Sequence, residues 1–166
     1  CKMKYFLLLC LMCLSTLASP AKTPSRDEVK VISYNIRFVN KKDGTNFWQN
    51  RAKASPAMIK DYAPDVFGVQ EALFSQPEYL DEKLPQYSFV GVGREDGKKK
   101  GETMAIFYNT RKVRLLDWGT YWLSETPDKP SRGWDADCKR TATWTLMEMK
   151  DSGRKFFYVN THLDHR

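Results

Sequence analysis

The sequence predicts an α/β fold with helices on one face of a mixed sheet, and three observations support this prediction. The chain has 166 residues, 42% of them hydrophobic, which is enough for one domain with a real core. Segments with strand-like alternation and segments with helical spacing follow in the order strand, helix, strand, helix, and then mostly strands. Beyond residue 13 the sequence contains one cysteine, Cys138, so burial of apolar side chains must stabilise the fold.

The first part of the domain alternates between the two kinds of element. A polar segment containing Asp43-Gly44 predicts a turn after the first strand. Pro56 marks either a kink or a first turn in the helix that follows. Ser75 is a plausible N-cap for the next helix, since its hydroxyl can accept from an N–H of the first turn. The elements predicted here are strands over 29–38 and 66–70 and helices over 47–62 and 77–84.

The second part consists mainly of β-branched and aromatic segments. Lys150-Asp151-Ser152-Gly153 predicts a hairpin turn between the last two strands. A segment from Leu123 to Cys138 contains two prolines and Gly133 and predicts a long loop, a feature that is often functional. The strands predicted here cover 87–92, 103–108, 113–118, 140–149 and 156–161.

The N-terminus has the layout of a secretory signal peptide. Lys4 precedes an apolar run from Tyr5 to Leu14, and small residues follow it up to Ser19. The run is shorter than the roughly 20 residues that a membrane-spanning helix needs. We therefore expect residues 1–20 to be a signal peptide, 21–28 a linker and 29–166 a domain, and we expect a secreted or periplasmic protein. Because the chain stops shortly after a predicted strand, we interpret 29–166 as the N-terminal part of a domain truncated at its C-terminus.

The charge balance is basic. Lys and Arg number 27 against 20 acidic residues, giving a net charge of +7. Residues 1–20 contain Lys2 and Lys4 and no acidic residue, so the remainder carries +5. Such an excess suits a polyanionic substrate such as nucleic acid or an anionic lipid surface.

Polar side chains at the ends of apolar strands are the candidates for chemistry. Asn35 and Glu71 supply the hard oxygen ligands that Mg²⁺ prefers, and Mg²⁺ needs only one or two of them besides water. Taken singly, Asn35 could bond to neighbouring backbone and Glu71 could cap a turn. His162 alone could equally be a structural histidine. Zinc-site spacing, a phosphate-binding Walker loop and a G-x-S-x-G elbow are absent from the sequence.

An ordered series of motifs nonetheless resembles the endonuclease/exonuclease/phosphatase superfamily, the metal-dependent phosphodiesterases related to deoxyribonuclease I. The resemblance spans nearly the whole chain after the signal peptide and implies a four-layer α/β sandwich, of which this chain would hold the N-terminal part. The matching segments are Ser33–Arg37, Trp48 with Arg51, Pro64–Glu71, Gly101–Glu102 before Ala105–Tyr108, Arg140–Thr141 and Asn160–Leu163.

The resemblance also implies roles for five residues. Asn35 would help to hold the metal or the scissile phosphate, and Glu71 would be the main ligand of Mg²⁺ or Mn²⁺. Glu102 would pair with His162 and keep the imidazole protonated against the phosphate. Arg140 would bind a phosphate oxygen through its planar guanidinium. Asn35, Glu102 and His162 would thus be catalytic.

The superfamily pattern continues with an Asp-x-Asn segment and a terminal Asp-His pair, neither of which occurs before Arg166. We therefore expect this fragment to be inactive and to lack the second sheet, which would leave apolar faces exposed. For the full-length form we expect a secreted Mg²⁺-dependent phosphodiesterase, first of all a nuclease, with a phosphodiester substrate, nucleic acid favoured over lipid, and no stable protein partner. The alternatives are a lipid phosphodiesterase, a phosphatase, or a non-catalytic basic binding module.

Overall fold

The structure, a computed structural model, describes residues 28–164. The predicted signal peptide and the predicted linker up to residue 27 lie outside the described residues. Within 28–164 the helical elements are a 3-10 turn (Lys41–Asn46), α1 (Trp48–Arg51), α2 (Ala54–Tyr62) and α3 (Ser75–Lys83). The strands of the same part are β1 (Val31–Asn35), β2 (Val66–Gln70), β3 (Ala72–Leu73), β4 (Tyr87–Val90), β5 (Glu102–Thr103), β6 (Ile106–Asn109), β7 (Val113–Trp122), β8 (Thr141–Met149) and β9 (Lys155–Thr161).

The main sheet is mixed and has the strand order β1-β2-β6-β4. Strands β1 and β2 run parallel with Asn35 opposite Gln70, and the other pairs are antiparallel. The helices between β1 and β2 form the crossover that a parallel pair requires. Because β1 and β2 are parallel, their carboxyl ends lie at one edge of the sheet. Every residue of β2 is buried, as expected for a central strand.

One face of the main sheet packs against the three helices. Phe67 and Phe107 stack with ring centroids 4.5 Å apart, and Ile59 and Leu80 lie in the same fully buried cluster. Trp48 joins this cluster and meets Tyr79 edge to face. Helices on one face of a mixed sheet are what the sequence predicted.

The opposite face packs against a second sheet, an antiparallel meander β7-β8-β9. Val66 and Ile106 of the main sheet contact a cluster that includes Val113 and Met147. The expectation that the second sheet would be missing is therefore wrong, because three of its strands are formed by this chain. On the last of these strands Phe157 is 68% exposed. No helix among residues 28–164 is long and apolar enough to cross a membrane.

Several element boundaries differ from the predictions for local reasons. Ser75 is the first residue of α3 instead of its N-cap, and the cap position belongs to Phe74 without a side-chain bond. Pro56 lies in the first turn of α2, where its missing N–H costs nothing. The predicted strand 103–108 is interrupted at Met104 and Ala105.

Candidate active site

The site begins at the edge where β1 and β2 end together. Asn35, the last residue of β1, donates from Nδ2 to Glu71 Oε1 at 2.8 Å. Asn35 Oδ1 accepts from Arg37 N at 3.0 Å, which closes a tight turn after β1. Arg37 and Glu71 both have φ of +59°, a backbone conformation that non-glycine residues rarely adopt. Such conformations concentrate at functional sites, where the surroundings hold them.

The second sheet reaches the same edge through Asn160. This residue of β9 is 3% exposed and donates from Nδ2 to Val69 O at 2.8 Å and to Ala105 O at 3.0 Å. Its Oδ1 accepts from Gln70 Nε2 at 2.6 Å. Gly68 makes the approach feasible, because a Cβ at that position would lie 2.6 Å from Asn160 Cγ. Asn160 thus fixes the end of β9 against the main sheet.

His162 follows β9 and faces the two residues at the ends of β1 and β2. Its Nε2 lies 3.8 Å from Glu71 Oε1 and 3.4 Å from Asn35 Nδ2. Arg140 NH1 lies 3.0 Å from His162 Nδ1. A guanidinium can only donate, so Nδ1 acts as the acceptor and the imidazole carries its proton on Nε2. Arg140 therefore orients the ring so that Nε2–H points towards Glu71 and Asn35.

Glu102 makes a different contact from the one predicted. Instead of pairing with His162, it accepts from Arg94 NH1 at 2.8 Å. The bond forms because Arg94 and Glu102 face each other across a hairpin, in which Arg94 N donates to Glu102 O at 2.9 Å. Trp122 Nε1 donates to Arg94 O and holds that side of the hairpin. The role predicted for Glu102, orienting the imidazole, belongs to Arg140 in this structure.

These groups line one open cavity of about 340 Å³. It brings together Glu71, Glu102, Arg140 and His162, four of the five predicted residues, whereas Asn35 lines an adjoining hollow of about 460 Å³. Arg37 borders both spaces. The remaining residues of the cavity are Phe38, Arg94 and Cys138, and those of the hollow are Ile36, Asp43, Asn46 and Arg51.

Arg37 and Arg94 are site residues that sequence reasoning did not single out. Arg37 binds Asp43 through two bonds of 3.0 and 3.1 Å, and its NH1 lies 3.7 Å from Glu71 Oε2. The bonds to Asp43 raise the pKa of Arg37 above its ordinary value and lower the pKa of Asp43. Arg37 stands inside the motif that follows the first strand, so its position beside Asn35 was the available signal. Arg94 had no comparable signal.

Glu71 fits the role of a metal ligand. Its Oε2 is buried and accepts no hydrogen bond, so this side of the carboxylate has unmet capacity for a cation. One carboxylate with water ligands is enough for Mg²⁺. Asn35 does not fit in this arrangement, because its oxygen is occupied by Arg37 N and its amide nitrogen faces Glu71. Within residues 28–164 no three His, Cys, Asp or Glu side chains cluster closely enough to form a metal site without such water ligands.

Comparison with known proteins gives sequence and structural neighbours. An endonuclease/exonuclease/phosphatase from Bacteroides vulgatus is 44% identical with a TM-score of 0.81, over 82% of this chain and 53% of that one. A mannosyl-6-phosphatase from Bacteroides thetaiotaomicron VPI-5482 is 43% identical with a TM-score of 0.80, over 83% of this chain and 52% of that one. An uncharacterised protein of Acanthamoeba polyphaga mimivirus, L388, is 30% identical over 145 residues, which make up 82% of this chain and 54% of that protein.

The chain therefore spans about half the length of the proteins it matches. No protein-family profile matches it.

Proposed function

We propose that this chain, whose fold is that of the endonuclease/exonuclease/phosphatase superfamily, is part of a metal-dependent phosphoesterase. The observation that carries the proposal is the meeting of three groups from two sheets around one cavity. Glu71 contributes a buried carboxylate oxygen without a hydrogen-bond donor, His162 an Nε2–H, and Arg140 a guanidinium. A non-catalytic binding module would have no need for this combination.

The reaction is hydrolysis of a phosphate ester. Water attacks phosphorus, the bond between phosphorus and the leaving oxygen breaks, and the leaving oxygen takes a proton to give an alcohol and inorganic phosphate. Mg²⁺ held by Glu71 would stabilise the negative charge on the phosphoryl oxygens. His162 Nε2–H supplies a hydrogen bond on the side facing Glu71, and Arg140 holds the ring in that orientation, while the attacking water supplies the proton that the leaving oxygen takes. Asn35 Nδ2 fixes the Glu71 carboxylate, so the groups need no reorganisation during the reaction.

For the substrate, we propose a phosphorylated sugar as the first candidate. The hollow beside Asn35 has room for a hexose and is lined by polar groups, among them Asp43 and Asn46. The 43% identical structure from Bacteroides thetaiotaomicron is a mannosyl-6-phosphatase, which supports the same class. Hydroxyl groups of a sugar can bond to carboxylate and carboxamide side chains at once.

The test uses the full-length protein with mannose 6-phosphate and p-nitrophenyl phosphate, with and without EDTA. Glu71→Gln keeps the shape of the side chain and removes its charge, so we expect a loss of at least 100-fold in kcat/KM with Mg²⁺. Glu82→Gln is the matched control, because Glu82 is exposed on α3 and pairs with Lys83. Full activity in EDTA, or in the Glu71→Gln variant, would refute a metal-dependent mechanism that uses Glu71, whereas no turnover of any phosphate ester with Mg²⁺ would favour a binding module.

A nuclease is the second candidate, favoured by the net charge of +5 beyond residue 20 and by the run Lys98-Lys99-Lys100. Contacts to phosphates release counterions, so cleavage of plasmid DNA should fall steeply between 50 and 200 mM salt. Activity on sugar phosphates with no cleavage of DNA or RNA at low salt would exclude it. Lipid vesicles in the same panel test the lipid phosphodiesterase alternative.

We also propose that residues 1–20 direct export. Tagged full-length protein should then accumulate outside the cytoplasm, and deletion of residues 1–20 should retain it inside. Equal distribution of the two forms would contradict the proposal.

A further inference from the structure

The two segments that carry the site have unusual backbones. One runs from Asn35, the last residue of β1, to Arg37, and the other from Glu71 to Leu73 after β2, and each contains a non-glycine residue at φ +59°. Left-handed backbone of this kind persists only where neighbouring groups fix it. Near the cavity the side chains of the two segments meet in the bond between Asn35 and Glu71 and in the ion pair of Arg37 with Glu71. A second connection lies behind the cavity.

Gln76 provides this second connection. It is 0% exposed in the first turn of α3 and is not among the residues that line the cavity. Its Nε2 donates to Arg37 O at 2.9 Å, and its Oε1 accepts from Leu73 N at 3.0 Å. One side-chain amide therefore bonds to the backbone of both segments. The amide nitrogen and the amide oxygen of Gln76 are both used, so neither backbone segment can move away from Gln76 without breaking a hydrogen bond.

Arg51 supports the same carbonyl from the other side. Its NH2 donates to Arg37 O at 2.9 Å and its NH1 to Ile36 O at 2.6 Å. A planar guanidinium presents these donors in a fixed fork, which an ammonium group cannot reproduce. The carbonyl of Arg37 thus receives two side-chain donors, one from α1 and one from α3.

We propose that Gln76 is a positioning residue that sets the separation between Asn35 and Glu71 and so tunes the affinity of Glu71 for a divalent cation. The proposal rests on the proposed function, in which Glu71 is the metal ligand. Gln76 acts through the backbone, since it touches neither Glu71 nor the cavity. Supporting groups of this kind change metal affinity by about 10- to 100-fold when removed.

The test is Gln76→Met in the full-length protein, a change that keeps the length of the side chain and removes both bonds. Titration calorimetry with MgCl₂ should show the dissociation constant for Mg²⁺ raised about 10-fold or more. Tyr87→Phe is the matched control, because the Tyr87 hydroxyl donates to Pro64 O at 2.7 Å in the same core, before the start of β2. This control should lower stability while leaving the dissociation constant within about twofold of the parent protein.

Arg51→Lys is the second variant, used if Gln76→Met does not fold. It keeps the charge, loses the fork and should weaken Mg²⁺ binding in the same direction. Unchanged affinity in a folded Gln76→Met or Arg51→Lys variant would overturn the proposal, and so would an equal effect of Tyr87→Phe. If Glu71→Gln itself leaves Mg²⁺ affinity unchanged, the proposed metal ligand is wrong. If Mg²⁺ affinity falls in Glu71→Gln but not in Gln76→Met or Arg51→Lys, the inference about Gln76 is wrong while Glu71 remains the metal ligand.

Discussion

Replacing Gly68 with alanine tests the contact that joins the two sheets. The φ of Gly68 lies outside the left-handed region, so alanine meets no backbone strain there, and the effect comes from packing. The new methyl group would lie 2.6 Å from Asn160 Cγ, 2.8 Å from Oδ1 and 3.0 Å from Nδ2. Such distances require Asn160 or the backbone of β2 to move.

The magnitude follows from the cheaper of two adjustments. If Asn160 retracts, it loses its bonds to Gln70, Val69 and Ala105, each worth about 1 kcal/mol net, or about 3 kcal/mol together. If the backbone shifts instead, overpacking of a filled core costs about 1–3 kcal/mol. The cheaper adjustment sets the cost, so we expect Gly68→Ala to lower the free energy of unfolding by about 1–3 kcal/mol.

The assay is urea unfolding of four proteins: the parent, Gly68→Ala, Asn160→Ala and the double variant. With Asn160 truncated, the clash is gone, and the alanine at position 68 should cost less than about 0.5 kcal/mol or even stabilise, since it reduces the freedom of the unfolded chain. The expected coupling is therefore between about 0.5 and 3 kcal/mol. An equal cost of Gly68→Ala in both backgrounds would refute the proposed contact.

Titration and metal loading give three further tests. Burial raises the pKa of Tyr158 in the folded protein. Its contribution to the free energy of unfolding is therefore fully present below about pH 10 and is lost as the pH rises through the pKa of the folded state. Tyr158→Phe should flatten this alkaline decline in unfolding curves. Hydrogen bonds from Arg37 lower the pKa of Asp43 in the folded protein. Its contribution to the free energy of unfolding is therefore present above about pH 4 and is lost as the pH falls through the pKa of the folded state. If the loss of stability at acid pH is the same in Asp43→Asn as in the parent, this explanation is wrong. Mg²⁺ at 100 times its dissociation constant should stabilise the parent by about 2.7 kcal/mol in thermal unfolding, and a similar gain in Glu71→Gln would disprove the ligand assignment.

The parts of the site that the sequence predicts are those set by strand ends. Asn35 and Glu71 stand at the ends of apolar β runs, and in the structure a parallel pair of strands places them 2.8 Å apart. The same logic covers the helices that pack on one face of the main sheet. Apolar runs determine burial, and burial determines these contacts.

The features of the site that could not be predicted are the hydrogen-bond partners of its polar side chains. Glu102 bonds to Arg94 because a hairpin brings these two residues, eight positions apart, face to face. The spacing of apolar residues in the sequence does not reveal this hairpin. Arg140 lies beside His162 because β8 and β9 are neighbours in the meander. The bridge made by Asn160 joins residues 91 positions apart. Polar contacts of this kind follow from the packed tertiary structure.

The sequence separation of the contacts at the site predicts the order in which they form. Asn35 and Glu71 are 36 positions apart, whereas Asn35 and His162 are 127 apart. Contacts over longer separations close larger loops and form later, and synthesis delivers the N-terminal strands first. In a nascent chain that has not yet reached β9, the contact between Asn35 and Glu71 can therefore form before His162 has been synthesised. Under the proposed function, the residues that would hold a cation are then in place before His162, and the docking of β9 is the step that completes the cavity.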